Sequence, residues 1–289
     1  VFETLNLKWT WQPVSMTDYA TIIEQIAREA KNSVVVPVIL NLCDGDEVNG
    51  APGISVVRCL EQQNLIYTGA DAFFYEVTTS KIPMKKAFDA HGLSHAPWSI
   101  IRKENIRTET LFDQLGCPLI VKPAVSGGSM GVGVRNVVEN TAQLKALLKE
   151  LFAGYRGWNL TSDGLIAESF IRGREFTVLI SGSHNDPASA TVYNPVERVF
   201  HQSLPPNERF LSFDRLWETY EQESAMPNEE NFYEYQLPEP ALWEPIKALS
   251  WNAYVATRGT GYTRVDVRMD EQSGRLYVLE VNAQCGLSE

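Results

Sequence analysis

The chain has 289 residues, a length that suits two domains or one large α/β unit with subdomains and allows a sizeable buried core. Against 25 Lys and Arg stand 36 Asp and Glu, so the net charge is −11 and spread along the chain; this argues against a general nucleic-acid binder, which needs a positive surface to displace counterions from phosphates. A hydrophobic fraction of 44%, with 7 Trp, 11 Tyr and 12 Phe, is far from the composition of disorder. No apolar run approaches the roughly 20 residues that cross a bilayer, so no membrane association is expected. Cys43, Cys59, Cys117 and Cys285 show neither CxxC pairing nor metal-ligand rhythm and read as buried reduced thiols of a soluble, cytoplasmic protein.

In chain order, Thr17 to Lys31 carries Ile22, Ile23, Ile26, Ala27 and Ala30 on one helical stripe behind a capping sequence that starts at Ser15. An apolar strand is predicted from Val34 to Leu42. After the polar loop Cys43–Gly50, a helix carrying Val56, Val57 and Leu60 begins near Pro52. A second unit opens near Thr78 with a helix that Gly92 ends, a strand at Trp98 to Arg102 and a short helix closed by Gly116. Leu119 to Val121 reads as a buried strand, and Val132, Val134, Val137 and Val138 as its return. A helix follows from Asn140 to Phe152, then strands at Leu165 to Phe170, Glu175 to Ser181 and Thr191 to Tyr193. The Pro- and Glu-rich stretch from Gln202 to Pro240 is longer than an ordinary loop and reads as a lid. A helix to Arg258 and a hairpin from Tyr262 to Val281 complete the chain.

Both hairpin strands alternate with period two. Pairing them about Ser273 sets Asp266 opposite Glu280 and Arg264 opposite Asn282, with Val265, Val267, Tyr277, Leu279 and Val281 on the other face. Two carboxylates and an amide suit a hard cation, although a solvated hairpin face has the same pattern. The second constellation is Pro118 to Gly131. Lys122 ends an apolar strand, and Gly127, Gly128, Ser129 and Gly131 let backbone N–H groups approach an anion such as phosphate; no Walker A lysine follows them. Gly127 to Gly131 also matches the G-x-S-x-G elbow of serine hydrolases, with Asp186 and His201 in the required order, but a strand-like rather than helical pattern follows Ser129.

Lys81, the Lys122 strand with its glycine loop, Glu168-Ser-Phe-Ile171 with Arg174-Glu-Phe-Thr177, and the Asp266, Glu280, Asn282 hairpin stand in an order that resembles the ATP-grasp superfamily, and within it the D-alanine-D-alanine ligase group. The stretch from Ser80 to Trp98 is similar without a gap to the helix that leads into the family's central domain, while the hairpin is one residue longer between its acids than is usual there.

The resemblance implies an α/β (α+β) ATP-grasp fold: an N-terminal α/β substrate lobe over residues 1–77, a central ATP-binding subdomain over 78–172, and a C-terminal catalytic subdomain with metal site and lid over 173–289. It implies that Lys81 and Lys122 contact ATP phosphates beneath the loop Gly127, Gly128, Ser129 and Gly131. Adenine would lie against Glu168, Ser169, Phe170 and Ile171, and Glu175 would accept the ribose hydroxyls. Asp266, Glu280 and Asn282 would ligate two Mg2+ ions, or Mn2+, with Glu280 bridging; Arg264 and the Gly286 backbone would surround the tetrahedral centre. The implied activity joins a small-molecule carboxylate and an amine through an acyl phosphate, in a homodimer. Asn41 to Gly50 stands where the family has a histidine-containing loop for the first D-alanine. Other amino acids or carboxylates, as in ligases of natural-product and mycosporine pathways, are therefore equally open. The alternatives are a non-catalytic ATP-binding module and a serine hydrolase built on Ser129.

Overall fold

A computed structural model describes residues 2–286. The amphipathic stripe near the start forms α1 (Tyr19–Lys31), burying Ile23 and Ala27. Of the apolar strand expected over 34–42, only β1 (Val38–Ile39) pairs, in parallel with β2 (Ile66–Tyr67) after α2 (Ile54–Gln62). The partner offers two residues, so Val34, Val35 and Val36 find no ladder and stay exposed. Helix α3 (Ala72–Thr79) was not anticipated, although Asp71 caps it by accepting the Phe74 N–H at 2.8 Å. Helix α4 (Lys81–Ala90) starts directly behind it, capped by Ser80.

A four-stranded antiparallel sheet follows. It is built from β3 (Trp98–Ile101), β4 (Leu119–Pro123), β5 (Val137–Val138) and β6 (Leu165–Ser169) in the order β3-β6-β4-β5. Its outer face is covered by α5 (Thr108–Leu115) and α6 (Thr141–Ala153), which bury Leu111, Leu144, Leu148 and Leu151 in one cluster with Leu119 and Val121. The expected return strand from Val132 is reduced to β5. Asn136 turns inward to donate to the carbonyls of Val121 and Gly131, and the Val134 N–H is taken by Glu223, so residues 134–136 form a 3-10 turn.

The larger sheet runs β10-β9-β7-β11-β12, with β8 also on β7. Its strands are β7 (Gly173–Ser183), β8 (Asp186–Val192), β9 (Val196–Phe200), β10 (Tyr233–Gln236), β11 (Thr260–Asp270) and β12 (Leu276–Ala283). Short α7 (Phe213–Leu216) precedes β10, and α8 (Pro240–Ala256) packs on the sheet behind it. Strands β9 and β10 were not read from sequence; β10 lies inside the expected lid. The expected boundary after residue 77 cuts α3, whose Phe74 and Tyr75 share one core with Val178, Tyr254, Val265 and Val281. The end of the chain also reaches back to the first lobe: Gln284 accepts the Ala70 N–H at 2.8 Å and donates to the Asn41 carbonyl at 2.9 Å.

In the hairpin, Asp266 pairs with Glu280 and Arg264 with Asn282, as the alternation required. A bulge then shifts the register between Asp266 and Val267. It absorbs the extra residue between the acids and corrects the assignment of faces. Val278 goes into the core, while Leu279, expected on the core face, lines the cleft described next.

Candidate active site

The inner faces of the two sheets enclose a cleft with about 910 Å3 of empty space, part of it open to solvent. Thirteen expected residues line it: Lys81, Lys122, Gly127, Gly128, Ser129, Glu168, Ser169, Phe170, Ile171, Glu175, Asp266, Glu280 and Asn282. Three do not. Gly131 lies behind the loop with φ +73°, where a Cβ would come within 2.7 Å of Leu160, so packing and backbone conformation together require glycine. Arg264 stands beside the cleft, its Nε donating to Asp266 at 3.3 Å, and Gly286 is exposed.

On the small-sheet wall, Glu168 is 2% exposed and sits between two lysines. Lys122 donates to one carboxylate oxygen at 2.9 Å; Lys85 contacts the other at 2.7 Å, off the hydrogen-bonding direction. Burial would raise the Glu168 carboxyl, but Lys122 and Lys85 overcome it and bring the pKa down to about 2. Burial lowers the pKa values of both Lys85 and Lys81, more than their acidic neighbours raise them. The side chain of Glu168 therefore serves the lysines, and the surface left for a flat base comes from Phe170, which meets Phe210 edge-to-face at 5.8 Å.

On the large-sheet wall, Asp266 is 4% exposed and accepts from Arg264 and, at 3.1 Å, from the Asn282 amide. Burial opposes its ionisation, and Arg264 with Arg198 reverse that, so its carboxyl titrates below the ordinary range. Glu280 is more open, with Lys81 3.9 Å away across the cleft. Among the described residues no three His, Cys, Asp or Glu side chains converge as a metal cage. Two carboxylates and one amide nevertheless fit Mg2+, which takes a few oxygen ligands from protein and the rest from phosphate and water. The Asn282 amide needs only to flip to present its oxygen. Glu175, expected to face a ribose, is held on one oxygen by Arg198 and on the other by Arg268.

The segment expected as a lid packs on the glycine loop through backbone and side chain alike. Ser129 Oγ donates to the Leu211 carbonyl at 2.9 Å, the Phe213 N–H to the Val132 carbonyl at 2.8 Å, and Trp217 Nε1 to the Gly128 carbonyl at 2.8 Å. Arg156 holds Asp214 of that segment at 2.5 Å. Phe210 and Leu211 thereby enter the cleft wall. The hydrolase alternative has no geometry: Ser129 is bonded to the Leu211 carbonyl, His201 to Ser203 and Glu230, and Asp186 opens the exposed start of β8. All four cysteines are free; Cys59 and Cys285 are buried as expected, Cys43 is half-buried, and Cys117, contrary to expectation, is exposed. Burial pushes the Cys285 thiol up to about 11, an unreactive value. No helix among the described residues is long and apolar enough to cross a membrane.

Sequence reasoning missed Lys85, Arg198, Arg268, Phe210, Leu211 and Leu279. A usable signal existed for Lys85, one helical turn from Lys81 on a stripe with buried Ile82, Met84 and Phe88.

Residues 87–289 match a protein family described as D-ala D-ala ligase C-terminus. Among curated relatives, a D-alanine--D-alanine ligase of Geobacter sulfurreducens is 28% identical over 234 residues, covering 81% of this chain and 64% of the relative. One of Desulfotalea psychrophila is 28% identical over 278 residues, 96% of this chain and 76% of its own length. Two solved structures share the fold. The VanG D-Ala:D-Ser ligase of Enterococcus faecalis has a TM-score of 0.64 at 17% identity, over 88% of this chain and 65% of that one. The D-alanine--D-alanine ligase of Bacillus anthracis complexed with ATP has a TM-score of 0.60 at 20% identity, over 92% and 73%. The two-walled cleft is thus that of an ATP-grasp fold. The chain spans just under two thirds of the length of the Geobacter sulfurreducens relative.

Proposed function

Since the chain belongs to the D-ala D-ala ligase C-terminus family, we propose that it is an ADP-forming carboxylate–amine ligase that uses ATP to join an amino acid or related carboxylate to an amine. The observation that carries this is the meeting of Asp266, Glu280 and Asn282 on one wall with Lys81 and Lys122 on the other. In the proposed reaction the substrate carboxylate takes the γ-phosphoryl group of ATP, the amine attacks the acyl phosphate, and phosphate leaves. Lys81 and Lys122 set positive charge against the transferring group. Asp266, Glu280 and Asn282 would hold two Mg2+ ions, or Mn2+, which when bound supply further neutralisation of that charge. Arg264, oriented by Asp266 at 3.3 Å, stabilises the oxyanion formed as the amine attacks. Phe210 and Leu211, in the cleft wall, exclude water that would hydrolyse the acyl phosphate.

The test is ADP release over a panel of amino acids, other carboxylates and amines. Acceptor-dependent turnover supports the ligase; ATP binding without it points to a non-catalytic module. Within an active pair, Glu280→Gln removes a charged ligand, and the rate should demand far more Mg2+ with a maximum lowered by about 100-fold or more. Matching Mg2+ curves for variant and wild type would end the metal assignment.

A further inference from the structure

Glu175 does not stand free in the cleft floor. Arg198 on β9 registers with it, and it registers with Arg268 on β11, so the three side chains form one row across three strands. All are nearly buried, at 2%, 4% and 3% exposure for Arg198, Glu175 and Arg268. Arg198 Nη1 donates to one carboxylate oxygen and Arg268 Nη2 to the other. Arg268 also donates to the carbonyls of Ile171 at 3.1 Å and Arg209 at 3.0 Å, and Arg198 to the Tyr235 hydroxyl at 3.3 Å. The Nε atoms of both arginines are buried and have no partner. All three residues line the cleft beside Phe170.

The row therefore presents two cations and one anion. A carboxylate that already receives a charged donor on each oxygen is a poor acceptor for a further hydroxyl, because two guanidinium groups neutralise the charge that would strengthen the bond. The two Nε–H groups are buried out of reach of a sugar, and the Nη hydrogens still free can only donate, which a sugar oxygen present in both nucleotides satisfies as well as a 2′ oxygen.

We propose that the Arg198–Glu175–Arg268 row makes the nucleotide site indifferent to the 2′-hydroxyl, so that it takes adenosine and 2′-deoxyadenosine triphosphates nearly alike. This rests on the nucleotide occupying the cleft as set out above. Arg268 is the specificity-setting member: it withholds the second Glu175 oxygen, which in its absence would accept the sugar hydroxyl.

Calorimetric titration of the whole chain with ATP and with 2′-deoxy-ATP, both with Mg2+, reads this directly. The two dissociation constants should agree within about threefold. A preference for ATP of about tenfold or more would overturn the proposal while leaving the ligase reading intact. Arg268→Met keeps an unbranched side chain of similar reach and frees one carboxylate oxygen, and should widen the ratio to about fivefold or more in favour of ATP. A merely structural role would weaken both nucleotides together and leave the ratio unchanged, which would also overturn the assignment. The wild-type ratio stands even if that variant fails to fold. Binding of neither nucleotide by the wild type would remove both this proposal and the reading beneath it.

Discussion

Glu168 and Glu175 stand on opposite walls of one cleft, each buried between two cations, yet they hold different kinds of partner. Lysine is a compact charge on a flexible stem, and Lys122 is 18% exposed at the cleft, so it can leave Glu168 for a phosphate while Lys85 stays behind as counter-charge. Arginine is a rigid fork, and Arg198 and Arg268 are additionally tied to Tyr235, Ile171 and Arg209. The charge balance immediately around the two glutamates is the same. What differs is freedom: the small-sheet wall can move its cation toward a reacting group, and the large-sheet wall fixes a floor.

The comparison is broken most directly by taking away the mobile cation. Lys122→Met should lower ligase turnover by about 100- to 1,000-fold with little change in melting temperature, since Glu168 keeps Lys85. Turnover within a few fold of wild type would place the phosphate elsewhere. Stability distinguishes the acids themselves. Glu168→Gln leaves two lysines around a neutral amide, and urea unfolding should show a loss of about 3–5 kcal/mol. Glu175→Gln should cost less, about 1–3 kcal/mol, because its arginines retain carbonyl and hydroxyl acceptors; equal losses would erase the contrast between the walls.

Acid titration sharpens the same point. The folded Glu168 carboxyl titrates at about 2 against an ordinary value of 4.5. A depressed carboxyl pKa contributes stability that is complete above the unfolded value and drains away as pH falls toward the folded one. Wild type should therefore lose stability between about pH 4.5 and 2, with a steeper slope than Glu168→Gln; identical slopes would remove Glu168 as the source. The smallest effect is expected at the loop, where Ser129→Ala deletes one bond to the Leu211 carbonyl and should reduce turnover by less than about tenfold. Labelling of Ser129 by a fluorophosphonate probe would restore the hydrolase alternative.

Much of the small-sheet wall was legible in the sequence because its signals are local. Lys122 follows directly on an apolar run, and the glycine-rich loop opens at Gly127, shortly after it. The hairpin pairing of Asp266 with Glu280 was readable for the same reason, as both strands alternate about one turn. The arginine row was not readable: its members come from three strands, and a charged residue within a strand ordinarily faces solvent. Only the assembled order β9-β7-β11 buries them. The bulge escaped as well, since an extra residue states its presence but not where the ladder yields, and Leu279 changed faces as a result. The apolar run from Val34 to Leu42 misled in the opposite sense. Hydrophobicity there promised a strand, but a strand extends only as far as its neighbour, and β2 is two residues long.

The bond from Gln284 to Asn41 spans 243 positions of sequence. On a ribosome adding about 5–20 residues per second, Asn41 waits roughly 10–50 s after its own synthesis for the donor that fastens it. The Asn41 carbonyl thus leaves the ribosome well before the amide that donates to it has been made. Vectorial synthesis and structural completion run in opposite directions at that point.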